Sequence, residues 1–193
     1  VFHEAIQSIV DWRTRYGEVI SLSVNKSPVQ FHSQERFKWL DALKQSDLPP
    51  KSITVEITEG LLIRDIENIK IQLKNLHDNL VEVSIDDFGT GYSALSYLKN
   101  FEIDYLKIDK GFINNITQDE HDKALTEAII VMAHKLGMRT IAEGVEEKEQ
   151  LEILKSFGCD YVQGFYFSPP IPKEEFDRLL TKQFVTPSED PVN

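Results

Sequence analysis

Val81-Glu82-Val83-Ser84-Ile85-Asp86-Asp87-Phe88-Gly89-Thr90-Gly91 is the stretch from which the fold class is read. Val81 to Ile85 is a short run with β-branched residues at alternate positions, the mark of a buried strand. Two adjacent carboxylates and two glycines follow at once, so the strand runs straight into a turn that carries charge. Before it, Ile66, Ile69, Leu73 and Leu76 recur at helical spacing. After it, Tyr105 to Ile108 reads as another strand. The same alternation continues outward, with strands over Val19 to Val24, Ile53 to Ile57, Arg139 to Ala142 and Tyr161 to Phe165. Helical spacing appears at Leu125, Ile129, Met132 and Leu136, and again at Leu151, Leu154 and Phe157.

Local signals agree with this order. Thr117 with Glu120 has the spacing of a capping box, Gly137 and Gly158 stand where helices end, and Pro172 suits the first turn of a helix carrying Phe176, Leu179 and Leu180. Strand-helix alternation with short loops implies a parallel sheet, either open and doubly wound or closed into a barrel. The strands number six, and an amphipathic helix with Phe2, Ile6, Ile9, Val10 and Arg13 precedes them without a strand of its own. A complete eight-unit barrel takes about 250 residues, so the expectation is an α/β, TIM-like barrel, incomplete, with its first two strands and one helix missing. Residues 1–185 are expected to form the domain, and the polar, Pro-containing 186–193 a flexible tail or linker.

Composition limits the function classes. The 193 residues are 41% hydrophobic and 27% charged, as in a globular core-forming chain. With 21 Lys+Arg against 32 Asp+Glu the net charge is -11, a field that repels DNA and RNA. The longest apolar run, Ala128 to Ala133, is far short of a membrane span, and no signal pattern opens the chain. A cytoplasmic location is expected, with any membrane anchor supplied by other segments of a parent protein. Cys159 is the only cysteine, so no disulfide can form within the chain.

Nearly every strand ends in a polar or charged residue: Asn25, Glu56, Asp86 with Asp87, Lys107 with Asp109, Glu143, and Gln163. Any one of these reads as a turn former or cap, but in a barrel six in register open onto the C-terminal face, where active sites are built. Carboxylates and an amide oxygen, without cysteine or paired histidines, suit a hard cation such as Mg²⁺ or Mn²⁺. Asp86 and Asp87 point to opposite faces of a regular strand, so sharing a metal requires the chain to turn between them. Lys107, flanked by Leu106 and Ile108, is costly to bury unpaired and reads as the counter-charge for an anionic substrate, with a structural ion pair to Glu143 as the alternative. Gly89 to Ala94 matches a dinucleotide pattern, but Asp86 and Asp87 would repel a pyrophosphate there. Asp87-Phe88-Gly89 copies a kinase tripeptide without the other kinase elements.

Taken in order, SVNKS at Asn25, VEITE with Glu56 and Glu59, DDFGTGYS from Asp86, YLKID with Lys107 and Asp109, AEGVE with Glu143 and Glu146, and QGFYFSPP from Gln163 resemble the EAL domain family, bacterial phosphodiesterases of cyclic di-GMP. The resemblance runs from about Leu22 to Pro170. It implies a TIM-like barrel in which Asn25, Glu56, Asp86 and Asp87 bind two Mg²⁺ or Mn²⁺ ions and Lys107, Glu143 and Asp87 serve hydrolysis to linear pGpG. It further implies that Glu59 pins the loop Phe88 to Ser93, and that Asp109, Glu146 and Gln163 lie near substrate or in the surrounding network. Expected partners are cyclic di-GMP, a second copy in a homodimer, and GGDEF or sensory domains of the parent protein. The Glu-Ala-Leu motif that names the family is absent; His3-Glu4-Ala5-Ile6 is not it, and the chain is expected to start downstream of that motif. The alternative function is a catalytically impaired module acting as a cyclic di-GMP receptor or protein-interaction domain.

Overall fold

Strands with one apolar face and helices with one apolar stripe hide both together only when the helices cover the sheet. The computed structural model describes residues 1–17, 20–32, 37–89 and 98–185. Its strands are β1 (Leu22–Asn25), β2 (Ile53–Thr58), β3 (Glu82–Phe88), β4 (Tyr105–Ile108), β5 (Arg139–Glu143) and β6 (Tyr161–Gln163). They pair in chain order and every pair is parallel. A doubly wound sheet reverses its order at a switch point, and this one does not, so the six strands form a half-barrel of the TIM-like kind.

The helices are α1 (Phe2–Tyr16), α2 (Pro28–His32), α3 (Lys38–Gln45), α4 (Leu61–Arg64), α5 (Ile66–Asp78), α6 (Lys110–Ile113), α7 (Glu120–Lys135), α8 (Lys148–Ser156) and α9 (Lys173–Val185). Val55, Val83, Ile85, Leu106, Ile108 and Ala142 of the strands form one buried cluster with Ile69, Leu73 and Leu76 of α5, Ile130 and Ala133 of α7 and Leu154 of α8. Each of the Val, Leu and Ile side chains among them contributes about 1.5–3 kcal/mol by leaving water. Successive strand residues face opposite sides, so the other face is the polar one: Thr54, Glu56, Glu82, Ser84 and Lys107 are all buried. The first and last helices meet outside the sheet, where Trp12 Nε1 donates to Asp177 Oδ1 at 2.6 Å. No helix among the described residues is long and apolar enough to cross a membrane.

Some boundaries differ from the sequence reading. The α7 N-cap is Asp119, whose carboxylate accepts from the N–H groups of His121 and Asp122, and not Thr117. An anion nearer the helix start satisfies two orphan donors at once and outcompetes the threonine. β6 ends at Gln163 rather than Phe165, because Gly164 packs on the Val145 backbone and the chain turns there, Tyr166 N–H donating to Val145 O. β1 begins at Leu22; residue 19 of the expected strand lies outside the described residues, as do 186–193. Gly137 and Gly158 follow their helices at φ 81° and 78°, as glycine C-caps do.

Candidate metal centre

β3 carries an irregularity at its end. Ile85 pairs with Leu106 and Phe88 with Ile108, so β3 spends three steps where β4 spends two. The extra residue is a β-bulge. Asp87 sits at φ 55° and Gly89 at φ 95°, so the chain turns within the pair of carboxylates. Aspartate tolerates the left-handed region better than most residues. The outcome is that Asp86 and Asp87, which a regular strand would send to opposite faces, each present an oxygen that lies with one from Glu143 inside 4.8 Å.

Lys107 stands at the middle of this end of the sheet, 4% exposed. Its Nζ is 2.8 Å from Asp86 Oδ1, 2.8 Å from Glu143 Oε1 and 3.1 Å from Glu56 Oε2. Burial by itself would lower the Lys107 pKa, but hydrogen bonds to Asp86 and Glu143 and the field of Glu56 push it above the ordinary value, so the ammonium stays charged. Glu143 is pushed up, first by burial and then by the neighbouring Asp86 and Glu56, with Lys107 opposing. Asp87 is also pushed up, by burial, then Asp86, then Asp109. Lys107 is thus shared among Glu56, Asp86 and Glu143, while the charges of Lys107 and Lys110 both act on Asp87 in the lowering direction.

The remaining sequence candidates surround that group. Asn25 is exposed at the end of β1, in register with Glu56. Glu59 is buried, and its Oε2 accepts from Gly89 N–H at 3.3 Å; residues 90–97 of the loop beyond lie outside the described residues. Asp109 caps α6, accepting from Gly111 N–H at 2.8 Å, so its contact is with backbone. Glu146 is exposed, and its N–H donates to Gln150 Oε1 at 2.8 Å. Gln163 pairs in register with Glu143, and its carbonyl accepts from Val145 N–H at 3.1 Å. The sequence reading missed Gly164, where a Cβ would lie 2.1 Å from Val145 O. A glycine directly after a polar strand end was the available signal.

Asp86, Asp87 and Glu143 offer oxygen alone, which fits a hard divalent ion and not zinc or copper. The model of the family described as EAL domain matches residues 1–170. The chain belongs to the EAL domain family. Signaling protein YkoW of Bacillus subtilis (strain 168) is 41% identical to it over 184 residues, 95% of this chain and 23% of that protein. MucR of Pseudomonas aeruginosa, a bifunctional diguanylate cyclase/cyclic di-GMP phosphodiesterase, is 40% identical over 176 residues, 91% of this chain and 26% of that one. The EAL domain of Mycobacterium smegmatis DcpA superposes with TM-score 0.87 at 38% identity, covering 93% of this chain and 82% of that chain. The chain spans about a quarter of the length of these curated relatives.

Proposed function

We propose that this EAL chain hydrolyses one phosphodiester of cyclic di-GMP to linear pGpG, with Mg²⁺ or Mn²⁺ held by Asp86, Asp87, Glu56 and Asn25. The observation that carries the reading is a single buried ammonium, Lys107, among Glu56, Asp86 and Glu143, with Asp87 turned toward them. When bound, divalent ions supply a water of lowered pKa and neutralise charge gathering on the phosphate. Asp86 and Asp87 provide the anionic oxygens, brought together by the bulge. Lys107, held charged, donates to the attacking water or to a phosphate oxygen. Glu143, its carboxyl pushed up, is suited to take the proton that the water loses. Glu59 holds the backbone at Gly89 and thereby the turn that carries Asp87. Asp109, Glu146 and Gln163 act around this group by fixing the loops that bear it.

The family assignment and the phosphodiesterase relative MucR support the substrate. An acidic chain binds a dianionic dinucleotide only with such counter-charge in place. The same reading extends to a homodimer, to diguanylate cyclase or sensory modules in the parent protein, and to the cytoplasm.

A chromatographic time course of cyclic di-GMP with the chain and Mn²⁺ tests the reading. Linear pGpG is expected with the parent chain and not with Lys107→Ala. Intact cyclic di-GMP alongside calorimetric binding of the nucleotide would overturn hydrolysis and leave a receptor. Calcium in place of Mn²⁺ is expected to inhibit, since it prefers larger and looser coordination.

A further inference from the structure

Asp87 and Glu143 come from strands that do not touch, with β4 between them. Asp87 lies at the bulge, one residue before the end of β3, and Glu143 is the last residue of β5. α6, a single turn that follows β4, contacts the chain just beyond each. On one flank the Phe112 ring covers Gly89, two residues past Asp87; a Cβ there would lie 2.7 Å from ring Cε2 and 2.8 Å from Cζ. On the other flank Lys110 lies against Gly144, the residue after Glu143, where a Cβ would lie 2.6 Å from Lys110 Cβ. Both glycines have positive φ, 95° and 73°, so neither position admits a side chain without strain.

A second tie joins α6 to the loop after β5. Ile113, fully buried, offers its carbonyl to Gln150 Nε2 at 3.1 Å. The Oε1 of the same buried Gln150 accepts from the N–H groups of Glu146 and Glu147 at 2.8 and 3.0 Å. The amide therefore spans from α6 to the loop that leaves Glu143. α6 itself is held to β4 by the Asp109 cap, two residues after Lys107.

We infer that α6 is a spacer that sets the separation of the Asp87 and Glu143 carboxylates, with Phe112 and Gln150 as positioning residues that touch neither metal nor substrate. The inference rests on the metal reading above. Metal affinity is sensitive to groups that only orient ligands, and their loss costs about 10–100-fold.

The test is Mn²⁺ binding by the 193-residue chain, measured as free Mn²⁺ by electron paramagnetic resonance, with circular dichroism showing each variant folded at the working temperature. Phe112→Ala and Gln150→Ala are expected to bind Mn²⁺ at least about 10-fold more weakly than the parent. Phe112→Leu, which keeps apolar burial but not the flat ring on Gly89, should fall between and serves if the alanine variant unfolds. The bound-ion spectrum should broaden or shift in these variants. Folded variants with lower melting temperatures and unchanged Mn²⁺ affinity would overturn the inference and make α6 merely structural. A parent chain that takes up no Mn²⁺ would overturn the metal reading and this inference with it.

Discussion

The inner face of the sheet holds charged groups at both ends, and the two ends are built in opposite ways. At the strand starts the buried Glu82 carboxylate accepts from Lys51 Nζ at 3.0 Å, Arg139 at 2.8 Å and the Tyr105 hydroxyl at 3.0 Å. Arg139 also stacks over the Tyr105 ring, 4.2 Å from its centroid. At the strand ends one ammonium serves Glu56, Asp86 and Glu143. The first network is saturated with donors and needs nothing from outside. In the second, among the described residues, Lys107 is shared by three carboxylates, and on the proposed reading divalent ions complete the site. Buried charge alone does not separate a structural plug from a functional centre; the balance of charge does.

Lys107→Met attacks the contrast most severely. Removing the one cation leaves its buried carboxylates unpaired, at a cost of about 3–5 kcal/mol at neutral pH, and turnover should be lost. Urea melts should show stability recovering in acid, where the raised carboxyls of the folded chain take up protons before those of the unfolded chain do. Glu82→Gln is next, removing charge-assisted hydrogen bonds worth about 2 kcal/mol. It should lower the melting temperature while leaving Mn²⁺ affinity unchanged; weaker Mn²⁺ binding would show that the two ends are coupled.

Asp87→Asn should have opposite effects on stability and binding. It relieves repulsion from Asp86 and Asp109, and asparagine accepts the left-handed backbone at φ 55°. The metal-free variant should melt higher than the parent and bind Mn²⁺ more weakly. The smallest effect is the pH response of the metal-free parent. Asp87 and Glu143 titrate above their ordinary 3.8 and 4.5, so their contribution to stability is fully present in acid. It declines as pH rises through the folded values, and Mn²⁺ should reverse that decline. Thermal melts at several pH values with and without Mn²⁺ check the sign.

Much of this was legible in the residues. Period-two and helical spacing placed the parallel strand-helix units, and polar residues at the ends of apolar runs placed the candidate site. Asp86 next to Asp87, followed by two glycines, required a turn, and the structure supplies it as a bulge against Leu106 and Ile108. What was not legible depends on contacts between distant residues. Arg139 and Glu82 look like ordinary alternation until the barrel face brings them together. Phe112 looks like a core aromatic until Gly89 is found beneath it. The shortened β6 follows from the Gly164–Val145 approach, which no local propensity encodes. Thr117 lost to Asp119 because two cap signals stood two residues apart, and pattern alone does not rank them.

The most direct test of the central claim is anomalous diffraction from crystals of the chain grown with Mn²⁺. The account predicts anomalous density against Asp86 and Asp87, within reach of Glu56 and Asn25, and none beside Glu82. Density absent from the Asp86 end, or present at Glu82 instead, would contradict it.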